Sequence, residues 1–246
     1  MPAPHIPVLC DSVVTALAIQ PNDRVLDGTL GFGGHAQAIL NHLSDDGRYI
    51  GLDQDPAAIS YCQSVFQLDS RVSIHQCNFR DIHRVLDASV PVNKVLIDLG
   101  VSSYQLDHET RGFSFQHADA PLDMRMDPTH AQSAASLLNT AVEHELATIF
   151  NQNADLDAPK LVQNIVSFRA NRAFESTNDL LSVIKQSFYF RNSRRNYIAM
   201  VQRVFQAIRM AVNDELVALQ TFVQTIPNYM PSGSRLAVIC FHSGES

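Results

Sequence analysis

A glycine-rich stretch, Val25–Ala36, constrains the fold more than any other part of this sequence. It begins in an apolar run, 24–26, that is typical of a buried strand, and four glycines follow within seven residues. The apolar periodicity of residues 36–43 then predicts a helix. Together these features predict the first βα unit of a nucleotide-binding sheet, in which a ligand lies against bare backbone amides at the helix N-terminus.

The rest of the first hundred residues repeats this alternation of strand and helix. Because alternating units of this kind build a parallel sheet, the sequence predicts an α/β fold with a doubly wound, mostly parallel sheet. No strand is predicted from about Gln105 to Asn213. The prediction is therefore a sheet domain, residues 1–104 and 214–246, with an inserted all-helical domain, residues 105–213. The predicted strands are 24–26, 49–52, 72–77, 95–100 and 234–241.

Helix ends are predicted from capping residues. Asp55 before Pro56 is a favourable N-cap, and Asp11 or Ser12 is expected to cap a short helix through Leu17. Residues 140–143 and 176–179 each have the pattern of a capping box. Apolar residues recur every fourth position from Met200 to Leu216, which predicts one long helix with a core-facing stripe.

Acidic side chains stand at the carboxyl ends of the strands, where this fold binds its ligands. Asp53 lies 22 residues after Gly31, a spacing suited to an acid that binds ribose hydroxyls. Asp27, Phe79 and Asp98 are expected at the same edge. Dinucleotides, FAD and S-adenosylmethionine all suit a glycine loop with an acid on the second strand.

The position of Asp27 favours S-adenosylmethionine among these three. An anion before the glycines repels a pyrophosphate, whereas it attracts a ligand with a cationic amino-acid end. Asp98 would then face the transferred methyl group and its acceptor. The sequence has no Gly-Lys-Ser/Thr, so a P-loop is excluded.

Composition narrows the class of protein further. No apolar run is long enough to span a membrane, and the first residues lack the pattern of a signal peptide. The four cysteines are scattered, which predicts buried free thiols in a reducing, cytoplasmic compartment. The ten histidines show no ligand spacing, so no metal site is predicted.

Charge is distributed unevenly along the chain. The net charge is −7, yet residues 160–210 carry nine Lys or Arg and only two acids, Glu175 and Asp179. This asymmetry favours an acidic cofactor-binding body with a basic module for a polyanion, although a solvated helical surface is the simpler alternative for any single charge. The candidate RNA contacts in this block are Arg191, Arg194, Arg195 and Arg209.

Several motifs resemble one known family. They are Asp27-Gly-Thr-Leu-Gly-Phe-Gly-Gly-His35, Leu52-Asp-Gln-Asp-Pro56, Asp98-Leu-Gly-Val-Ser-Ser103 with Gln105-Leu-Asp107, Arg111-Gly-Phe-Ser-Phe115, Pro121-Leu-Asp-Met-Arg-Met-Asp127, 205–216 and Phe241-His-Ser243. The chain is similar over nearly its whole length to the bacterial small-subunit (16S) ribosomal RNA cytosine-N4 methyltransferases. That resemblance implies a Rossmann-like S-adenosylmethionine-dependent methyltransferase fold with a helical insertion, acting in rRNA methylation.

The resemblance also implies functional residues. The cofactor-binding positions are Gly33, Gly34, His35, Asp53, Phe79, Asp98 and Gln105. Asp53 would hold the ribose hydroxyls and Phe79 would pack near the adenine, unless Phe79 is a plain core aromatic. Asp98, or backbone carbonyls at 98–101, would hold the cytosine amine in a catalytic role. Phe113 or Phe115 would stack on an unstacked target base, or both would fill the core of the insertion.

The chain departs from this family in the insertion and at its end. The segment at 153–157 lacks the family's Gly-Glu-Glu, and 198–202 replaces its His-Pro-Ala-Thr. These departures leave open a catalytically weak RNA-binding or ribosome-assembly factor; a small-molecule dehydrogenase is a third, disfavoured alternative. Because only five residues follow the strand ending at Phe241, the expectation is an uncovered apolar edge at 236–241 that promotes a homodimer or aggregation.

Overall fold

The computed structural model describes residues 9–190 and 193–240. In those ranges the chain forms five strands and ten α-helices, with short 3₁₀ turns at Phe79–Arg84 and Ile226–Tyr229. The strands are β1 Arg24–Asp27, β2 Arg48–Asp53, β3 Val72–Gln76, β4 Lys94–Asp98 and β5 Arg235–Ile239. The helices are α1 Cys10–Leu17, α2 Gly34–Leu40, α3 Pro56–Val65, α4 Ser103–Asp107, α5 Ala134–Thr140, α6 Glu143–Ala154, α7 Pro159–Asn171, α8 Thr177–Ser187, α9 Arg194–Val212 and α10 Glu215–Thr225.

Backbone contacts divide the chain into two compact units. The first is Met1–Ser103 with Leu216–Ser246, and the second is Tyr104–Glu215. All described strands lie in the first unit. Among the described helices, none is long and apolar enough to cross a membrane.

The sheet of the first unit is entirely parallel, with strand order β3-β2-β1-β4-β5. The chain builds outward from β1 in one direction through β2 and β3, then returns to the other side of β1 with β4. Such a reversal opens a crevice at the carboxyl ends of β1 and β4, which is where open α/β sheets bind ligands. The predicted fold class is confirmed.

Each face of this sheet has its own core. Residues of α1, α2 and α3 pack on one face around Val25, Tyr49 and Leu96. The turn at 79–84 and α10 pack on the other face around Leu26 and Ile97. Successive strand residues alternate between the two cores, and both faces are apolar because both are covered by helices.

The second unit consists of helices and loops in the described ranges, with one isolated bridge between Pro121 and Ser176. Helix α6 packs against α7 and α9, and α8 packs against the same two helices. The capping box at Ser176 is confirmed, because the carboxylate of Asp179 accepts the Ser176 N–H at 3.0 Å. That carboxylate also pairs with Arg172.

Three helix boundaries differ from the sequence prediction. Thr140 does not cap α6, because its hydroxyl bonds the Ser136 carbonyl inside α5; the Glu145 carboxylate instead accepts the N–H of Val142. Helix α1 starts at Cys10, with no side-chain cap from Asp11 or Ser12. The long helix does not reach Leu216, because it ends at Val212 and Asp214 adopts a positive φ of 51°.

Asn213 joins the end of α9 to the loop at 121–127. Its side-chain oxygen accepts the Met126 N–H at 2.7 Å, and its Nδ2 donates to the carbonyls of Met124 and Arg209, each at 2.8 Å. Met124 has a positive φ of 61°, which is uncommon for its residue type, so the loop depends on such bonds. Two motifs that are far apart in sequence are thereby held together.

We expect Asn213→Ala to lower the free energy of unfolding by about 2–4 kcal/mol, because it removes the buried hydrogen bonds of the Asn213 side chain to the Met126 N–H and the Met124 carbonyl. Urea unfolding followed by circular dichroism measures this loss. Asn171→Ala is the matched control, since exposed Asn171 bonds only the Ser167 carbonyl of its own helix. Equal losses in the two variants would show that Asn213 has no special role.

Candidate functional site

Asp53 lies at the carboxyl end of β2, where neighbouring backbone amides hold its side chain. Its Oδ2 accepts the Gly31 N–H at 2.8 Å and its Oδ1 accepts the Asp55 N–H at 2.8 Å. Burial raises the pKa of this carboxyl from 3.8 to about 6, although the two N–H bonds oppose the shift. The ionised carboxylate keeps lone pairs that can accept ribose hydroxyls.

The glycine loop uses most of its amides internally. The N–H of Gly28 donates to Leu96, that of Leu30 to Leu52, and that of Gly31 to Asp53. These three amides are therefore not available to a ligand, and the bare amides that the sequence predicts belong to the start of α2. Gly33, with φ 79°, turns the chain into α2. The N–H groups of Gly34 and His35 begin that helix, so they have no carbonyl partner inside it.

Asp27 does not face a ligand amine as the sequence analysis expected. Its side chain has no exposed surface, and its oxygens accept the Tyr49 hydroxyl at 2.5 Å and the Thr29 N–H at 3.0 Å. Burial raises the pKa of the Asp27 carboxyl, with the Tyr49 bond opposing the rise. The side chain of an acid at a strand end can face either the protein core or the ligand crevice, and that of Asp27 faces the core.

Asp98 lies at the end of β4 beside His35, whose buried Nε2 forms no hydrogen bond among the described residues. Its Oδ2 lies 3.5 Å from Nε2 of His35. Its Oδ1 is buried and has no hydrogen-bond partner among the described residues. The backbone N–H of Asp98 donates to the Thr29 hydroxyl at 2.6 Å, which fixes the strand end. A buried acceptor of this kind is complemented by a ligand N–H group.

Cys10 and Thr29 belong to this arrangement, and the sequence analysis missed both. The Cys10 sulfur lies 3.7 Å from Nδ1 of His35, and burial, Asp11 and Asp98 raise the pKa of its thiol. No spacing rule connects Cys10 with His35. Thr29 could have been found, because an acid two residues before it commonly accepts its N–H. The four cysteines form no disulfide among the described residues, as predicted, but only Cys62 is buried.

Phe79 belongs to the core of the first unit. It is 8% exposed, and its ring meets that of Phe222 edge-on, with centroids 5.6 Å apart. A Cβ added at Gly28 would lie 3.0 Å from the Cβ of Phe79. The core-aromatic alternative describes this contact; packing of Phe79 near an adenine stays a prediction.

The other predicted site residues lie in the second unit. Gln105 is buried in α4, and Phe113 is 6% exposed, with the Arg111 guanidinium 5.8 Å from its ring centroid. Phe115 is half-buried and meets the ring of Phe205 at 6.0 Å. Phe113 is thus enclosed as a core residue, and Phe115 is the more accessible of the two candidate stacking faces.

Charged residues at 123–127 order the loop they belong to. Arg125 forms two bonds of 2.8 Å to the carboxylate of Asp123, and its Nη1 donates to the His130 carbonyl at 2.7 Å. This pairing lowers the pKa of Asp123 despite its burial. Asp127 accepts the N–H of Thr129 at 2.8 Å.

The candidate RNA-binding arginines separate into two groups. Arg194 and Arg195 are exposed in the first turn of α9. Arg209 is enclosed and forms a bidentate pair with Glu215, at 2.7 and 2.8 Å, so it is not the surface contact that was expected. Arg191 lies outside the described residues.

The described residues contain no group of three or more His, Cys, Asp or Glu side chains that could hold a metal ion.

The model of the MraW methylase family matches residues 2–246. The chain belongs to this family. The resemblance found in the sequence is thus confirmed, and so is the prediction of a methyltransferase.

Curated relatives agree with the family model. The ribosomal RNA small subunit methyltransferase H of Heliobacterium modesticaldum is 43% identical over 246 residues, covering 98% of this chain and 78% of that protein. The protein of the same name from Thioalkalivibrio sulfidiphilus is 42% identical over 249 residues, covering 99% and 78%. A solved S-adenosylmethionine-dependent O-methyltransferase from Thermotoga maritima is 18% identical, with a TM-score of 0.33 and coverage of 38% and 35%. At that level the fold assignment rests on the strand order of this chain itself.

S-adenosylmethionine is the methyl donor of this methylase family, so the predicted cofactor is confirmed. The residues present fit it. Asp53 offers a carboxylate for ribose hydroxyls, whereas the unpartnered Oδ1 of Asp98 would face the amine that accepts the methyl group. The opening amides of α2, at Gly34 and His35, are adjacent in sequence to the loop that positions both acids. These assignments of individual residues are proposals.

We expect S-adenosylmethionine to bind more weakly as pH falls from 7.5 to 5, by up to about tenfold per pH unit below the pKa of Asp53. That pKa is about 6, and the protonated carboxyl is a poorer acceptor for ribose hydroxyls. Isothermal titration across this range measures the effect. Asp53→Asn should bind less tightly at pH 7.5, by about 1–3 kcal/mol, and lose this pH dependence.

Protonation of Asp53 would not weaken cofactor binding by unfolding the protein. Its pKa is raised in the folded chain, so the native state holds more protons than the unfolded state between about 6 and 3.8. This carboxyl therefore favours the folded chain as pH falls through that window. An identical pH profile for the parent and Asp53→Asn would contradict the assignment.

Proposed function

We propose that this protein transfers the methyl group of S-adenosylmethionine to the exocyclic N4 of a cytosine in small-subunit ribosomal RNA. The observation that carries the proposal is the arrangement at Asp98, which presents a buried, unpartnered carboxylate oxygen beside His35 at the end of β4. The relatives named as small-subunit methyltransferases, at 42–43% identity over nearly the whole chain, support the RNA substrate. We place the reaction in the cytoplasm.

An exocyclic cytosine amine is a poor nucleophile because its lone pair is delocalised into the ring. An acceptor that binds one N–H of this amine favours a pyramidal nitrogen. The nitrogen lone pair is then less delocalised and can be directed at the methyl group. When bound, S-adenosylmethionine supplies an electrophilic methyl group. Aligning the two reacting groups can contribute about 7–11 kcal/mol of the barrier, so positioning is the main requirement on the protein.

Asp98 is suited to that positioning. The Thr29 hydroxyl holds its backbone N–H at 2.6 Å, and Nε2 of His35 lies 3.5 Å from Oδ2, which leaves Oδ1 to accept an amine N–H. The proton that the amine loses has the Asp98 carboxylate or solvent as its acceptor. The helical unit, with its basic residues, would contact the RNA.

Asp98→Asn tests the catalytic role. The substitution keeps the size of the side chain but replaces a carboxylate oxygen by an N–H donor, so we expect methyl transfer to fall by about 100-fold or more from misalignment alone. Tritiated cofactor with unmodified small ribosomal subunits measures the rate, and mass spectrometry of nucleosides identifies N4-methylcytidine. Cofactor affinity is measured alongside by calorimetry.

Asp46→Asn is the matched control, since Asp46 is an exposed acid on the loop before β2. An Asp98→Asn variant that binds the cofactor and methylates RNA at the parent rate would overturn the role. If the parent protein binds the cofactor and the subunit but forms no N4-methylcytidine, the weak assembly factor is the better description.

RNA binding through the basic module makes a separate prediction. Replacing Arg194 and Arg195 by Ala should weaken binding of single-stranded RNA regardless of sequence. The slope of log affinity against log salt should flatten by ~0.7 for each arginine–phosphate pair that the substitutions remove. Arg84→Ala, an exposed arginine of the first unit, should leave the slope unchanged. An equal slope in the double variant and the parent would make these arginines solvated surface.

Self-association is a further part of the proposal. Strand β5 is the last strand of the described sheet, and its Leu236 and Val238 side chains are exposed, at 39% and 36%. Pairing of two copies along β5 would cover both side chains and the free backbone groups. Sedimentation equilibrium of Val238→Lys against the parent tests this, since a charge on that strand would shift a dimer toward monomer.

A further inference from the structure

Tyr189 is the only exposed aromatic side chain in residues 9–190 and 193–240, and it is 88% exposed. It lies between the end of α8 and the start of α9, within the helical unit. An aromatic ring held in water gives up the free energy of burial, and its face is available to a flat ligand. Among the described residues at 180–200, no other large apolar side chain is exposed.

The local backbone explains why this ring points outward. Phe188 follows α8 in extended conformation, with φ −126° and ψ 148°. Successive side chains of an extended segment point to opposite sides, so Phe188 and Phe190 share one side and Tyr189 takes the other. The rings of Phe188 and Phe190 lie 6.1 Å apart, and both residues are half-buried.

This segment is anchored to α9. The ring of Phe190 meets that of Tyr197 at right angles, with centroids 5.2 Å apart. The Ser193 N–H donates to the Phe190 carbonyl at 2.7 Å, and the Ser193 hydroxyl caps the N–H of Asn196. Tyr189 is thus carried on a supported backbone.

Basic side chains flank the exposed ring in sequence. Lys185 is exposed in the last turn of α8, and Arg194 and Arg195 are exposed in the first turn of α9. Within the described part of the chain, none of these three forms a salt bridge. Two cations at a helix N-terminus oppose the helix dipole, so the fold gains no stability from them there.

We propose that Tyr189 is a stacking platform for an unpaired base of the RNA substrate, with Lys185, Arg194 and Arg195 binding the adjoining phosphates. This inference rests on the proposed function and adds a specific substrate contact to it. Single-stranded RNA is recognised by stacking of its bases on aromatic rings within positively charged surfaces. A protein partner would need a contiguous apolar patch, whereas no other large apolar side chain is exposed among the described residues at 180–200.

The absence of tryptophan from the sequence allows a direct test. Tyr189→Trp introduces a single tryptophan, whose emission should be quenched when a base stacks on it. The probes are a short single-stranded RNA oligonucleotide and purified small-subunit ribosomal RNA. Leu68→Trp is the matched control at a 94% exposed position of the first unit, and its emission should not change. Unchanged emission of Tyr189→Trp at saturating RNA would overturn the proposal.

Two further variants separate the ring from its hydroxyl. Tyr189→Ala should weaken RNA binding roughly 5- to 100-fold, the range typical of removing a base–aromatic stack, and raise KM for RNA with little change in kcat. Tyr189→Phe should restore binding to within about twofold of the parent. Parent-like binding by Tyr189→Ala, or equal weakening by Tyr189→Phe, would contradict stacking.

These measurements keep the two proposals apart. Quenching and RNA affinity do not depend on methyl transfer, so quenching without N4-methylcytidine would reject the proposed reaction and support the stacking platform. Methylated product without quenching would do the reverse. Cofactor affinity should be the same in all Tyr189 variants.

Discussion

The hydrogen bonds between the turn after β1 and the ends of the neighbouring strands determine the candidate site. Gly28 donates its N–H to β4, and the N–H of Leu30 goes to the end of β2. Thr29 donates to Asp27 and accepts the N–H of Asp98, so a single residue links β1 to β4. Gly28 has no space for a side chain, since a Cβ would lie 2.4 Å from Cδ1 of Ile97. The loop therefore has its shape before any ligand arrives.

Asp27 shows how a correct conclusion can rest on a wrong geometry. Its position before the glycines favoured S-adenosylmethionine, and the family confirms that cofactor. The carboxylate, however, is enclosed with the Tyr49 hydroxyl and strengthens the loop from within. The acid that remains open to an amine is Asp98, whose Oδ1 is buried and unpartnered among the described residues. Periodicity assigns residues to strand ends, but it does not say on which side a terminal side chain lies.

Features that depend on residues close together in the sequence could be predicted, whereas contacts between distant residues could not. The five strands follow from apolar runs, and the Asp55 cap follows from two adjacent residues, because such signals are local. Thr140 was misassigned because a threonine hydroxyl can bond either the next helix or its own. The contact of Cys10 with His35 and that of Asn213 with Met126 join distant residues, and no local pattern encodes them.

The basic module explains how a chain with a net charge of −7 could bind a polyanion. Four of its nine cations hold the helical unit together: Arg169 and Arg203 bind carbonyls at the ends of α5 and α6, while Arg172 and Arg209 pair with acids. The described cations left to solvent include Lys185, Arg194 and Arg195, which flank Tyr189. At physiological salt, charges more than about 8 Å apart are largely screened, so acids farther than that from a phosphate bound at these residues would affect it little. Local charge, rather than net charge, is therefore the quantity that decides RNA affinity.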